Sequence, residues 1–318
     1  MIIALTFAER FTQTLAKGLA QGALYALVAL GFVLIFKATQ TVNFAQGAIA
    51  LVGAWFASLL LIDWVIPGRW MGGNTYVIWI SSVVLAALMT AGLGLIIERL
   101  AIRPMIGEPL FSIAVITLGL EAILRTIGFD AVNLNPRQLA IPWGFDGFHV
   151  GDAFVAWTYI AIYITTAIAF VAIFLFFRTR LGIAMRAVAF DQEAALAQGI
   201  SVGKVFAVAW GSSAALAALA GVLSSGAPLG SGVVSAGITG LAFRALPAVI
   251  LGGLDSVSGA LIGGLLVGCA EVFSGEYLAQ YTNTLGNGYS LIVPYVVMLI
   301  VLLVRPYGLF GTPEIRRV

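Results

Sequence analysis

Charge is what this sequence has least of. Asp, Glu, Lys and Arg make up 9% of its 318 residues, and 61% are apolar, whereas a soluble domain carries about 25% charged residues. So few charges cannot cover a water-facing surface, because apolar area left in water costs about 25 cal/mol per Å². The solvent for most of the chain is therefore lipid. Cysteine and histidine are equally scarce. Cys269, the single cysteine, lies in an apolar run, so no disulfide forms within the chain and the thiol reads as a small core residue. His149, the single histidine, lies in a polar stretch and speaks against a histidine-based metal site. A formal charge of +2 supplies no basic field for a nucleic-acid partner.

The signatures of catalysis are missing too. No phosphate-binding GxxxxGK[ST] loop occurs; the nearest stretch, Gly199 to Val205, has the wrong spacing and a valine where a hydroxyl should meet magnesium. No HExxH, no cysteine pair, no Ser-His-Asp set and no mid-span pair of aspartates is present. The chain is expected to be no enzyme and to bind no metal or cofactor. No polar stretch is long enough for a soluble domain, so 1–318 reads as a single transmembrane domain whose energy-consuming work falls to partners. Met1 to Phe7 has no basic leader and is followed by Glu9 and Arg10, so it is kept in the mature chain.

What the sequence does contain is long apolar runs. A crossing needs about 20 predominantly apolar residues, and such runs lie at 13–36, 43–62, 77–97, 110–128, 154–177, 205–226, 237–253, 256–275 and 289–304. Their unbroken apolar character predicts helices rather than barrel strands. The fold class is therefore all-α, a polytopic transmembrane bundle of about eight or nine spans. Only Gly253, Leu254 and Asp255 separate the seventh and eighth runs, which marks one of them as a candidate broken or re-entrant segment.

Basic residues orient the bundle. Lys37, Arg99, Arg103, Arg178, Arg180, Arg186, Lys204, Arg305, Arg316 and Arg317 fall on one side of alternating loops, and Arg10, Lys17, Arg69 and Arg137 on the other. Ten against four places the first group in the cytoplasm. The C-terminus is then inside and, with nine spans, the N-terminus outside. The outer loop at about 129–153, with Asn133, Asn135, Pro136, Pro142, Asp146, His149 and Asp152, reads as an ordered, turn-rich connection.

Four charges fall within spans. Glu121 and Arg125 are four residues apart, on one helix face, and are expected to pair. Arg244 and Glu271 lie in adjacent antiparallel runs, where they either pair or snorkel to an interface. Glycine is abundant, with 37 residues. The pairs Gly18 and Gly22, Gly259 and Gly263, and Gly264 and Gly268 have the small-xxx-small spacing that lets helices approach closely. Asn43 and Gln46, at a polar break between the first two runs, and Ser235 and Thr239, at another, are candidates for lining a solute pathway.

The inner loop at about 178–204 is too polar to span, yet Ala184 to Ala197 is rich in helix formers. It predicts one short amphipathic helix at the membrane surface. Glu193-Ala194-Ala195, with Gly199 following, resembles the EAA motif of permeases in ATP-binding-cassette importers. Gly22-Ala-Leu-Tyr to Phe36, Val42-Asn43-Phe44-Ala45-Gln46-Gly47, Arg244-Ala-Leu-Pro to Gly253, Ser256 to Ala260 and Arg305-Pro-Tyr-Gly-Leu-Phe-Gly311 resemble branched-chain amino-acid permeases of the LivH type, in family order over nearly the whole chain. Gln46 stands where relatives commonly carry histidine.

This resemblance implies that Arg178, Arg180, Gly182, Arg186, Asp191, Glu193, Ala194, Ala195 and Gly199 belong to a coupling helix that docks on an ATPase. It also implies an assembly with a second, LivM-like permease subunit, two ATPase subunits carrying ATP and magnesium, and an extracytoplasmic solute-binding protein. The implied location is the bacterial cytoplasmic (inner) membrane. The expected cargo is leucine, isoleucine or valine; relatives carrying urea, amides or aromatic acids are the alternative within the family, and an ion-coupled secondary transporter the alternative outside it.

Overall fold

The computed structural model of the protein describes residues 6–133, 137–151, 153–286 and 288–311. Arg316, Arg317, Asn135, Pro136 and Asp152 lie outside the described residues. In chain order the helices are α1 (Phe7–Thr39), α2 (Gln46–Ser58), α3 (Gly68–Met71), α4 (Thr75–Ile97), α5 (Leu110–Asn133), α6 (Trp157–Phe176), α7 (Arg180–Phe190), α8 (Gln192–Ala197), α9 (Val202–Ser224), α10 (Gly240–Gly252), α11 (Val257–Tyr277), α12 (Thr282–Leu285) and α13 (Tyr289–Val304). Each of the nine apolar runs becomes a helix. Among the described residues seven helical segments are long and apolar enough to cross a membrane by themselves, and two, Ala236–Gly252 and Tyr289–Val304, are shorter. The protein is a multi-pass membrane helix bundle.

Burial sorts the helices into a core and a rim. The apolar window of α1 is 83% buried and that of α9 72%, against 17% for α5 and 28% for α6, so α1 and α9 form the axis of the bundle. The rim helices present large apolar side chains outward, among them Ile80, Val84 and Leu88 on α4 and Ile164, Ile168 and Val171 on α6. In a hydrocarbon solvent that is the favourable arrangement.

Glycine sets the closest contacts. A Cβ on Gly22 of α1 would lie 2.7 Å from the Cα of Leu265, and one on Gly264 of α11 would lie 2.6 Å from Ala26. Gly268 meets Gly22 directly, and Gly18 faces Cys269. The other flank of α11 does the same with α10, where Gly259 meets Gly252 and Gly263 meets the Ala248 carbonyl. All three glycine pairs permit close packing: Gly18 and Gly22 of α1 and Gly264 and Gly268 of α11 where those two helices meet, and Gly259 and Gly263 of α11 against α10.

The two ends of the bundle separate the charges as the loops suggest. At one end Arg10 pairs with Glu276 at 2.7 Å, and Arg137 with Asp63. At the other the Lys37 ammonium sits 5.2 Å from the centre of the Phe177 ring, and Arg103 bonds the Gly203 carbonyl at 3.2 Å. The segment after α13 folds against α10 there, with Leu309 N–H bonded to the Leu251 carbonyl and Phe310 N–H to that of Gly252.

The outer loop is more structured than expected. α5 continues to Asn133, past the predicted end of the fourth run at 128, because Phe129 and Val132 extend the apolar pattern. Beyond it lie β1 (Arg137–Gln138) and a hairpin of β2 (Gly147–Val150) and β3 (Ala153–Ala156). β1 pairs antiparallel with β4 (Val233–Val234), so this loop clamps the connection that precedes α10.

Gly22→Val is expected to force α1 and α11 apart and to abolish accumulation of folded protein, read by size-exclusion recovery from detergent. Gly119→Ala, where the new methyl meets nothing within 4 Å, should leave recovery unchanged. Equal recovery of the two variants would contradict the assigned packing.

Candidate functional site

Three constellations of polar groups interrupt the apolar bundle, and each is positioned by a different irregularity of the chain.

The first lies about halfway along α9. After α1 ends at Thr39 the chain turns back into the bundle, and α2 begins only at Gln46. Backbone groups in such a stretch need internal partners. Phe44 N–H donates to Thr117 Oγ1 of α5 at 3.2 Å and Ala45 N–H to Asn43 Oδ1 at 3.0 Å. Asn43 Nδ2 donates to Gln46 Oε1 at 3.0 Å, and Gln46 Nε2 to the Ser213 carbonyl at 3.3 Å. The Ser213 hydroxyl lies 2.9 Å from the Gly31 carbonyl and 3.0 Å from Gln46 Oε1. Asn43, Gln46 and Ser213 are all fully buried. This network ties the start of α2 to both axial helices. α10 starts beside it, since Gly47 packs on the Thr239 carbonyl. With 13 residues each, α2 and α10 extend roughly 20 Å, less than the roughly 30 Å of a hydrocarbon core. They run from this common level to opposite ends of the bundle. The short α10 is the broken segment that the close spacing at Gly253–Asp255 pointed to.

The second constellation is a vestibule at the end of the bundle marked by Arg10 and Glu276. A cavity of about 900 Å³ runs along α1 past Arg10, Gln13, Lys17 and Gln21 and reaches Glu271 and Arg244. An adjoining cavity of about 220 Å³ is lined by Ser224, Ser225 and Ser235 together with Gln21 and Arg244. Ser235 thus faces a cavity, whereas the Thr239 hydroxyl is bonded at 2.9 Å to the Ala236 carbonyl. The outer loop holds this wall in place: Trp143 Nε1 donates to Thr158 Oγ1 at 2.9 Å, and the Thr158 hydroxyl donates to the Ala227 carbonyl at 2.5 Å. Of the two outcomes open for Arg244 and Glu271, pairing or snorkelling, the contact pair does not form. Glu271 instead accepts a hydrogen bond from Tyr25 of α1 at 2.5 Å, and the four ion pairs among the described residues include neither Glu271 nor Arg244. Glu121 and Arg125 do pair, at 3.2 Å, on the rim helix α5.

The third is at the opposite end. The segment expected as one amphipathic helix is two, α7 and α8, broken at Asp191, whose backbone is extended at φ −157° and ψ 109°. The Asp191 side chain accepts from Ala194 N–H at 2.9 Å, so it caps α8 and cannot continue α7. Thr179 caps α7 in the same way through Gly182 N–H at 3.3 Å. Gly199 has φ +79°, and its N–H bonds the Leu196 carbonyl while Ile200 N–H bonds that of Ala195. That is a Schellman ending, which favours glycine because a Cβ is strained at positive φ. The spacing from Glu193-Ala194-Ala195 to Gly199 is thus one complete short helix with its stop. Gly182, Met185, Val188 and Ala195 are buried beneath, while Arg180, Arg186, Asp191, Glu193, Ala194 and Gly199 point outward. Arg178 lies over the Phe174 ring at 4.6 Å.

Sequence reading missed an ion pair beside this end. Glu98, 1% exposed, accepts from Arg103 Nε at 2.9 Å and Nη2 at 3.2 Å. The two residues are five apart, a spacing that suits the π-helical turn at Glu98–Ile102 rather than an α-helix. Tyr25 and Gln21 were also missed, hidden within an apolar run.

The comparison with known proteins decides what this bundle is. A family model described as "branched-chain amino acid transport system / permease component" matches residues 14–302. The chain belongs to this family. Among relatives of this permease, the high-affinity branched-chain amino acid transport system permease protein LivH of Salmonella typhimurium is 31% identical, over 97% of this chain and 98% of its own length. BraD of Pseudomonas aeruginosa, described in the same terms, is 30% identical over the same shares. A probable LivH of Methanocaldococcus jannaschii is 30% identical, over 91% of this chain and 89% of its own.

Gln46→Ala in this permease removes one side chain from a closed buried network and leaves Asn43 and Ser213 short of a partner. The expected loss is about 1–3 kcal/mol, read as a lower thermal midpoint of the detergent-purified protein. An unchanged midpoint would show that the network does not hold α2 in place.

Proposed function

We propose that this permease is one of two membrane subunits of an ATP-binding-cassette importer that moves branched-chain amino acids into a bacterial cytoplasm. The second membrane subunit is a related permease. Two ATPase subunits carrying ATP and magnesium bind at the α7–α8 end, and a soluble binding protein delivers solute at the vestibule end. The α7–α8 end and the C-terminus are then cytoplasmic and the N-terminus external, in keeping with the bias of basic residues.

The observation that carries this reading, with the family membership, is the state of α7 and α8. They are anchored from below by Met185 and Val188, at 0% and 1% exposure, while Phe190 is 94% exposed and Leu181, Ile183 and Leu196 are about half exposed. An apolar tip on a firmly seated polar elbow suits a partner protein better than water. ATP-driven closure of the ATPases would push this elbow, and the spans would rock between inward and outward access. Arg180 and Arg186 flank the tip and favour an acidic rim on the partner groove.

Glu193→Lys should weaken ATPase assembly, and Gly199→Val should disrupt the end of α8, with a strain of about 1–3 kcal/mol at positive φ. Both are expected to cut ATP-dependent L-leucine uptake in proteoliposomes and to reduce ATPase co-purification. Normal uptake with full assembly would reject the coupling assignment. Uptake by the isolated chain on an ion gradient, without ATPases, would reject the importer reading itself.

A further inference from the structure

The vestibule narrows to a place where two opposite charges face a cavity without touching each other. Arg244, four residues from the start of α10, and Glu271 of α11 both line the larger cavity. The smaller cavity shares Arg244, Gln21 and Leu229 with it. A structural pair would be closed, as Glu121 and Arg125 are at 3.2 Å. Here the carboxylate is instead fixed by Tyr25, itself fully buried on the axial helix, through a 2.5 Å bond. Going inward along α1 from the mouth at Arg10 to Gln21 covers about 17 Å, so these charges lie well inside the bundle. Charges at such depth are costly unless they serve a pathway or a partner. Beyond Arg244 the smaller cavity has a polar side, with Ser224, Ser225, Ser231 and Ser235, and an aliphatic side, with Leu24, Leu229, Val233, Ile238 and Leu241.

We infer that this junction receives a zwitterionic α-amino acid. Its carboxylate meets Arg244, its ammonium meets Glu271, and its branched aliphatic side chain lies against Leu24, Val233, Ile238 and Leu241 on the aliphatic side of the smaller cavity. A guanidinium offers a planar fork matched to a carboxylate, and the first turn of α10 adds the positive end of a helix dipole. Tyr25 is a positioning residue that keeps Glu271 turned to the cavity. A larger cavity of about 900 Å³ falls within the usual range of about 300–1,000 Å³ for small-molecule sites. The inference deepens the function proposed above and rests on its amino-acid cargo.

The test uses the full importer in proteoliposomes with saturating L-leucine-loaded binding protein, measuring both uptake and stimulated ATP hydrolysis. Arg244→Gln and Glu271→Gln are each expected to lower L-leucine uptake about tenfold or more, with ATP hydrolysis retained and Arg244→Lys partly restoring uptake. Val233→Phe, at a half-buried position on the aliphatic wall, should lower uptake of L-leucine relative to L-alanine. The charge assignment is overturned if uptake and hydrolysis fall together in the charge variants, or if both stay at wild-type level. An unchanged leucine-to-alanine ratio in Val233→Phe overturns the side-chain assignment. If the wild-type complex hydrolyses ATP but carries no L-leucine or L-alanine, the cargo reading fails and this inference with it.

Discussion

Backbone-to-backbone contact along α11 is the constraint from which the rest of the bundle takes its shape. Lipid offers helices no hydrophobic drive to associate, so close packing must supply the attraction. α11 meets that demand twice: Gly264 and Gly268 receive α1, and Gly259 and Gly263 receive α10. With both neighbours at glycine distance, side chains that would be too far apart in an ordinary bundle come within reach. Tyr25 bonds Glu271 across the first contact. Arg244 stands on the second partner of the same helix. The vestibule is bounded by the parts of α1, α10 and α11 that the glycines do not close.

A second constraint follows from breaking two helices inside the bundle. Starting α2 and α10 near the same level frees backbone groups where no bulk water reaches; ahead of α2, Thr117 and Asn43 take the Phe44 and Ala45 N–H groups, and Gln46 and Ser213 extend the network to α1 and α9. That explains why the polar breaks at 43–46 and 235–239 stand out in an apolar sequence. Their meeting did not stand out, because hydropathy is read along one strand of chain and Gly47 touches the Thr239 carbonyl across nearly two hundred residues. Asn43 and Gln46 were legible as special and not legible as a lock between α1, α2 and α9.

The α7–α8 end shows the same division. Glu193, the two alanines and Gly199 could be singled out from the sequence, and their spacing turns out to be a short helix with a Schellman stop. The break before it was missed because Asp191 was read as one polar residue on a continuous amphipathic face. An aspartate followed three residues later by a free N–H is equally an N-cap, and the cap wins here because it satisfies Ala194. Glu98 and Arg103 escaped for a geometric reason: a search at spacings of three and four finds α-helical pairs, and five belongs to a π turn. For Arg244 and Glu271, where pairing and snorkelling were both open, the third partner was hidden for a chemical one. Tyr25 supplies Glu271 with a neutral donor at 2.5 Å, and no count of charges along the chain registers a phenol.

Among the helices that join the two ends of the protein, α1 and α10 carry groups of both the vestibule and the α7–α8 end, and the way they are held limits how a displacement at one end would be felt at the other. α1 carries Gln21 and Tyr25 at the vestibule and Lys37 over Phe177, one turn before α7, at the far end. α10 carries Arg244 at its start and is pinned at its finish by Leu309 and Phe310. Both helices meet α11 at glycine distance, so in the importer proposed above a displacement of α7 would tilt the three together. The α9 axis would stay with α4 and α2, which pack on it through Gly94 at Trp210 and Gly53 at Ala218. The surface where the two groups can slip is the contact of α1 with α9 and α2. The groups that bridge it are the Gly31 carbonyl, bonded by Ser213, and Gln46 beside it. In that importer a pull on α7 would reach the vestibule by working against this buried polar lock.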